Sequence, residues 1–183
     1  MTQLNVALLI GSLRKDSFSR KVATGLNSIT PEGMALTTIE IGDLPFYNPD
    51  LDSDTPPEAW KRFRSEVSKA NSVLFVTPEY NRSVPAALKN ALDVGSRLYG
   101  NSVWSGKPAA IISCSPGNIS GFGANHHLRQ SLVFLDMPTL QQPEAYLAQV
   151  DKLVDDKGDL VRDTAKFLAG FLKSFDSFAQ KNL

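Results

Sequence analysis

The chain has 183 residues, of which 42% are hydrophobic and 21% are charged, a composition typical of a globular protein that buries its own core. Its 19 acidic and 19 basic residues balance, so it lacks the basic surplus of nucleic-acid-binding proteins. The single cysteine, Cys114, has no partner for an internal disulfide, and no segment resembles a signal peptide or a membrane span. We therefore predict a single cytoplasmic domain, residues 1–183, with no nucleic-acid or membrane partner.

Short apolar runs alternate with segments of helical spacing along the chain. The runs that we predict to be strands are residues 5–10, 35–39, 72–76, 109–113 and, more weakly, 139–141. Continuous apolar runs are typical of parallel strands covered by helices on both faces. Five strands and five helices predict an α/β protein and favour a flavodoxin-like three-layer sandwich, with a parallel sheet of order 2-1-3-4-5, over the six-stranded dinucleotide-binding fold. In such a sheet the ligand lies beyond the carboxyl ends of the strands.

The loop after the first strand, residues 11–20, is rich in hydroxyl and basic side chains. It precedes a helix, where free N–H groups and the positive end of the helix dipole favour an anion. Ser12, Ser17 and Ser19 add hydroxyl donors, and Arg14 adds a guanidinium. The loop lacks both G-x-G-x-x-G and the Walker motif, so we predict a terminal monophosphate rather than a pyrophosphate or a nucleoside triphosphate. In the alternative interpretation, Ser17 or Ser19 only caps the helix and the basic residues are surface charges.

The loop after the third strand, residues 77–85, is predicted to be stiff and shaped. Pro78 holds the residue before it extended, and Asn81 tolerates unusual backbone angles. Such a loop exposes backbone groups that can bind the edge of a planar heterocycle, and Tyr80 offers a flat surface beside it. The alternative interpretation is an ordinary turn in which Ser83 caps the next helix.

The loop after the fourth strand, residues 113–123, is rich in glycine and serine, which lets the backbone approach a ligand closely. Cys114 is not a phosphatase nucleophile, because the cysteine-x5-arginine loop of those enzymes would need an arginine where Ser120 stands. We predict that Cys114 is a small buried residue. His126 and His127 are neighbours on a helix and point in different directions, so we predict no metal site.

Two of these loops resemble a known family. The segments G-S-L-R-K-x-S-F-S-R and T-P-E-Y-N-R-S-V-P-A-A-L-K-N-A-L-D are similar to those of the NADPH-dependent FMN reductase family, and within it to the branch of chromate, quinone and azo-dye reductases. Residues 44–50 and 127–130 also sit where that branch has similar segments. The chain departs from the family where a Gly-Gly pair is usual, since it has Ser120-Gly121, and where an aromatic residue is common, since it has Val94.

The resemblance implies FMN as the cofactor and assigns residues to it. Those that would surround the FMN phosphate are Ser12, Arg14, Ser17, Phe18 and Ser19. Those that would run along the isoalloxazine ring are Pro78, Glu79, Tyr80 and Asn81. The third contact loop would contribute Ser115, Pro116 and Gly117.

The implied activity is that of an NAD(P)H oxidoreductase, in which hydride passes from NADPH or NADH to FMN and on to quinones, azo compounds, free flavin or chromate. The chemistry takes place on FMN, so no catalytic side chain is predicted. The resemblance also implies a homodimer or homotetramer, and Leu44–Leu51 could be either a lid or a subunit contact. Two alternatives stay open: a flavodoxin-like electron carrier or flavin sensor, and a nucleotide-binding domain without flavin. The zero net charge favours the enzyme, since flavodoxin carriers tend to be strongly acidic.

Overall fold

The computed structural model describes residues 3–97 and 99–183, and these residues contain a five-stranded parallel sheet. Its strands are β1 (Leu4–Ile10), β2 (Met34–Thr38), β3 (Ser72–Thr77), β4 (Ala109–Cys114) and β5 (Ala145–Leu147). They lie in the order β2-β1-β3-β4-β5, and every neighbouring pair is parallel. The predicted flavodoxin-like fold and strand order are therefore confirmed.

Helices cover both faces of this sheet. They are α1 (Phe18–Leu26), α2 (Glu58–Lys69), α3 (Ala86–Gly95), α4 (Phe122–Phe134) and α5 (Arg162–Asn182). The buried side chains of α1 and α5 pack in one core cluster, and those of α2, α3 and α4 pack in a second one. β3 and β4 are buried along their whole length, because side chains on both of their faces are covered. No helix of the described residues is both long and apolar enough to cross a membrane.

The prediction of the fifth strand was wrong in position. Residues 139–141 form only an isolated bridge, between Thr139 and Ala109, whereas the ladder with β4 is made by Ala145–Leu147. Residues 139–141 are flanked by Pro138 and Pro143, which have no N–H to donate to a ladder. Its apolar character has another cause, since the Leu140 side chain is buried in the core. The three residues of β5 are too few to show a recognisable strand pattern in the sequence, so the apolar Leu140 drew the prediction to the wrong segment.

The parallel register brings the carboxyl ends of three strands to one edge of the sheet. Ile10 of β1 lies beside Val76 of β3, and Thr77 of β3 lies beside Ser113 of β4. The loops that follow β1, β3 and β4 therefore meet at this edge, where the order of a doubly wound sheet reverses between β1 and β3.

Candidate functional site

A cavity of about 200 Å³ lies among the loops that follow β1, β3 and β4. Most of the residues predicted from the sequence line it, namely Ser12, Arg14, Ser17, Phe18, Ser19, Pro78, Glu79, Tyr80, Ser115 and Pro116. Asn81 and Gly117 do not: Asn81 lies in a turn and Gly117 is an exposed loop residue. Cys114, which was not predicted as a site residue, also lines the cavity.

The loop after β1 is held mainly by its own side chains and by the helix that it enters. Ser17 is the N-cap of α1: its Oγ accepts a hydrogen bond from Arg20 N–H at 3.2 Å and lies 3.3 Å from the Ser19 hydroxyl. Gly11 fixes the entrance to the loop, since a Cβ there would lie 2.7 Å from Thr77 Oγ1. The capping role considered for Ser17 is thus confirmed.

Hydroxyl groups in this loop are buried although they line a cavity. Ser12, Ser17 and Ser19 are 4%, 6% and 1% exposed. Ser17 Oγ accepts from Arg20 N–H and from the Ser19 hydroxyl, so its own proton is left to donate to a ligand. The first N–H groups of α1 have no intrahelical acceptor, and its first turn contains no acidic residue. The cavity therefore presents donors and positive potential at one end.

Arg14 adds a full positive charge to the same end of the cavity. It lines the cavity, and no carboxylate in the described part of the chain forms an ion pair with it. A guanidinium with free donors beside a helix N-terminus is suited to a phosphate dianion.

The loop after β3 contains a two-residue turn with left-handed backbone. Asn81 and Arg82 have φ angles of 50° and 64°. Tyr80 N–H donates to Ser83 O at 3.1 Å and Ser83 N–H donates to Tyr80 O at 2.9 Å. Because Ser83 is paired in this turn, the interpretation of Ser83 as the cap of α3 is wrong, and Pro85 stands at that position without a side-chain bond.

Contacts with α4 hold this turn from outside. The Glu79 carboxylate accepts from Ala124 N–H at 3.0 Å and pairs with Arg82 at 3.2 Å. It thereby caps α4, whose own N-cap residue, Gly121, has no side chain to do so. Ser83 Oγ lies 2.9 Å from His127 Nδ1. Ala124 and His127 lie more than forty residues from Glu79 and Ser83 in sequence, and no local pattern could have shown these two contacts.

Gly123 makes the close approach between this turn and α4 possible. A Cβ at this position would lie 2.6 Å from Arg82 O and 2.9 Å from Glu79 Oε2. The backbone oxygen of Arg82 cannot retreat without moving the turn, so a side chain at position 123 would displace the loop that lines the cavity.

The loop after β4 is fastened to the end of β5 and the turn beyond it. Ser115 N–H donates to Leu147 O at 3.0 Å, and Ser115 O accepts from Val150 N–H at 3.1 Å. Ser120, which stands where the resembling family usually has glycine, has a φ of 62° and donates to Asn118 O at 3.2 Å. The serine thus adopts the left-handed backbone that glycine would adopt more easily.

Cys114 is buried at the end of β4 and is 1% exposed. Burial raises the pKa of its thiol to about 12, so the thiol is protonated near neutral pH and is not a nucleophile. The prediction of a small buried residue is confirmed. Within residues 3–97 and 99–183, no group of three His, Cys, Asp or Glu side chains could hold a metal ion.

The segment 44–51 is tied to its own chain at its beginning. Asn90 accepts from Tyr47 N–H at 2.8 Å and donates to Leu44 O and Pro45 O, and the Tyr47 ring lies 5.4 Å from the Trp60 ring. Phe46 is the most exposed large apolar side chain of this stretch, with 76% of its surface exposed.

Comparison with known proteins agrees with the arrangement of these loops. Residues 4–152 match the family described as NADPH-dependent FMN reductase. The chain belongs to the NADPH-dependent FMN reductase family. It is an oxidoreductase that uses FMN as cofactor and NAD(P)H as electron donor, as the resemblance implied.

Two relatives of this chain are named quinone reductases, and a similar solved structure is that of a flavoenzyme. A quinone reductase of Pseudomonas putida is 58% identical over 178 residues, which are 97% of this chain and 96% of the relative. A 2-hydroxy-1,4-benzoquinone reductase of a Burkholderia species is 42% identical over 97% of each chain. The solved structure of FerB, a flavoenzyme NAD(P)H:(acceptor) oxidoreductase from Paracoccus denitrificans, superposes with a TM-score of 0.91 at 38% identity and covers 98% of each chain.

Proposed function

We propose that this protein reduces benzoquinones with electrons from NAD(P)H, and that the cavity of about 200 Å³ holds the FMN that carries them. The observation that supports this most directly is the set of phosphate-binding groups at one end of the cavity. Buried serine hydroxyls, unpaired helix N–H groups and the free guanidinium of Arg14 converge there. Among the described residues that line the cavity, Glu79 is the only acidic one, and its carboxylate is committed to Ala124 N–H and Arg82.

Each loop has a different part in this proposal. The loop after β1 binds the phosphate through Ser12, Arg14, Ser17 and the backbone beside Phe18 and Ser19. The loop after β3 lies along the isoalloxazine through Pro78, Glu79, Tyr80 and Asn81, with Tyr80 beside the ring. The loop after β4 completes the cavity through Ser115, Pro116 and Gly117. These assignments come from the family resemblance, and their support is that all of these residues except Asn81 and Gly117 line the cavity.

Bound FMN supplies hydride transfer from the nicotinamide to the acceptor. The side chains and backbone of the chain bind and orient both reactants and exclude water, and no side chain is needed as acid or base. Reduction of a quinone to a hydroquinone takes two electrons and two protons, which equal one hydride from NAD(P)H and one proton from solvent. Because one opening serves both reactants in turn, steady-state kinetics should give parallel double-reciprocal lines.

Among the possible acceptors, benzoquinones are favoured because relatives at 58% and 42% identity are named quinone reductase and 2-hydroxy-1,4-benzoquinone reductase. Azo compounds, free flavin and chromate are broader acceptors that the family resemblance implied, and we include them as secondary substrates of the same cavity. A homodimer or homotetramer and a cytoplasmic location remain predictions from that resemblance and from the composition.

The decisive experiment measures the flavin and the turnover of the same preparation. We expect a yellow protein that releases FMN on denaturation and oxidises NADH or NADPH rapidly when a benzoquinone is present. A protein that binds FMN but oxidises neither nucleotide would instead be an electron carrier or a sensor. A protein that binds no flavin would contradict the proposal altogether.

A further inference from the structure

A second cavity, of about 420 Å³, adjoins the proposed FMN cavity. Ser12, Arg14 and Tyr80 line both cavities, so the two share part of one wall. The second cavity extends toward the loop after β2 and the start of α3. Its volume is within the range of small-molecule pockets, and nothing in the proposed binding of FMN requires it.

The walls of this second cavity are mainly apolar. They include the side chains of Leu13, Ile41, Leu44, Phe46 and Pro85. Leu13 and Phe46 are 51% and 76% exposed, so two large apolar side chains face solvent beside the cavity. Exposed apolar groups beside a concave surface indicate a place where an apolar ligand is covered.

The wall that carries Phe46 is fixed before any ligand binds. Asn90, which is 6% exposed, donates to Leu44 O at 3.2 Å and to Pro45 O at 3.0 Å. It also accepts from Tyr47 N–H at 2.8 Å, while Trp60 Nε1–H donates to Pro45 O at 3.0 Å. The backbone on both sides of Phe46 is thus bound to α2 and α3. A preformed wall lowers the entropic cost of binding a ligand against it.

With FMN bound, the cavity offers an anionic ligand no free cation. No carboxylate lines it, and Arg14 is its only lining cation among the described residues. In the proposed site Arg14 already binds the FMN phosphate. The pyrophosphate of a nicotinamide nucleotide would therefore find no free cation here, whereas an apolar group would bury surface without an unpaired charge.

We propose that the second cavity is a specificity subsite for the apolar substituent of a quinone, such as an alkyl tail attached to a ring that is reduced at the adjoining FMN cavity. This inference rests on the proposed function and names the part of the acceptor that the chain selects. Phe46 and Leu13 cover the tail, and its attachment to the ring passes beside Tyr80, which lines both cavities and lies beside the isoalloxazine in the proposed site.

The test compares a decyl-substituted benzoquinone with unsubstituted benzoquinone. The specificity ratio, kcat/KM for the decyl compound over that for the unsubstituted one, should fall by about tenfold in Phe46→Ala, since methylene groups in an apolar pocket discriminate by at least this much. Phe46→Leu keeps an apolar side chain and should restore most of the ratio. Phe167→Ala removes a partly exposed phenylalanine from α5, on the opposite face of the sheet, and should leave the ratio as in the wild type.

A binding measurement that needs no turnover accompanies the kinetics. Calorimetric titration of the FMN-loaded protein with the decyl compound should show affinity about tenfold weaker in Phe46→Ala than in the wild type. An unchanged ratio and unchanged affinity would overturn the inference while leaving the quinone reductase activity intact. If Phe46→Ala changed only the KM for NAD(P)H, the inference would also be overturned, because the cavity would then bind the nicotinamide nucleotide. Absence of flavin, or of turnover with any quinone, would instead contradict the proposed function.

Discussion

The loops after β1 and β3 line the same cavity but are held in different ways. The loop after β1 is shaped by neighbours in sequence, since Ser17 binds Arg20 N–H and lies beside Ser19. The loop after β3 is shaped by α4, through Glu79 on Ala124 N–H and the missing side chain of Gly123. The first loop takes its shape from contacts within its own sequence, and the second takes its shape from contacts with a distant helix. Substitution of a binding group without structural contacts in the first loop, such as Arg14, should therefore change ligand binding alone, whereas substitutions around the second should change ligand binding and stability together.

The largest effect on stability and FMN binding is expected from Gly123→Ala. The added methyl would lie 2.6 Å from Arg82 O, so the turn must move, and overpacking of this kind costs about 3 kcal/mol. We expect a lower free energy of unfolding in urea and a loss of bound FMN. Gly95→Ala is the matched control, because its methyl would lie 2.5 Å from the Trp104 indole. It should destabilise the fold without changing the Kd for FMN, and equal loss of FMN in both variants would contradict the role of Gly123.

Arg14→Ala tests the loop that is shaped locally. Loss of a charge-assisted hydrogen bond to the phosphate should weaken FMN binding by about 2 kcal/mol, or roughly thirtyfold in Kd. The free energy of unfolding of the flavin-free protein should not change, since no carboxylate in the described residues pairs with Arg14. Lys15→Ala, which removes an exposed cation from the same loop, is the control. Flavin fluorescence titration gives the Kd of each variant, and urea denaturation gives the free energy of unfolding of the flavin-free protein. A normal Kd in Arg14→Ala would remove this residue from the site.

Glu79→Ala tests the clamp, by which we mean the hydrogen bond from Ala124 N–H to the Glu79 carboxylate that holds the loop after β3 against α4. Removing the acceptor of Ala124 N–H should cost about 1 kcal/mol of stability, as for other helix caps, and should weaken FMN binding because the loop is freed. Glu79→Gln keeps an acceptor oxygen and should recover most of both losses. If Gln behaved like Ala in thermal unfolding and in flavin titration, the charge paired with Arg82 would matter more than the cap.

The smallest effect on stability is expected at Arg82, as the difference between Arg82→Gly and Arg82→Ala. At a φ of 64° a side chain is strained, and glycine is the preferred residue after asparagine in such turns. Arg82→Ala loses the same exposed ion pair with Glu79 but keeps the strain. The glycine variant should therefore be about 0.5 kcal/mol more stable than the alanine variant. Chemical denaturation of the two variants measures the difference, and a more stable alanine variant would show that the turn is not strained at this position.

Much of the fold, and the loop after β1 in the candidate site, could be predicted from the sequence because the relevant signals are local. Continuous apolar runs identified the buried strands β1, β3 and β4. The hydroxyl-rich loop before α1 predicted an anion site and contained the residue that caps this helix, Ser17. The loop by itself predicts only that the ligand carries a terminal monophosphate. The resemblance in two motifs identifies that ligand as FMN. The family match over residues 4–152 confirms that identification.

Tertiary structure alone decided the rest. The position of β5 depended on which short segment reaches the end of β4, and Leu140, buried next to the sheet, gave the misleading apolar signal. The clamp of Glu79 on α4, the need for glycine at position 123 and the fixing of Phe46 by Asn90 all join residues more than forty positions apart. Composition, periodicity and motif spacing describe neighbours along the chain. Close approaches between distant segments are set by how the layers pack, and here that packing shapes the second loop of the site and the cavity beside it.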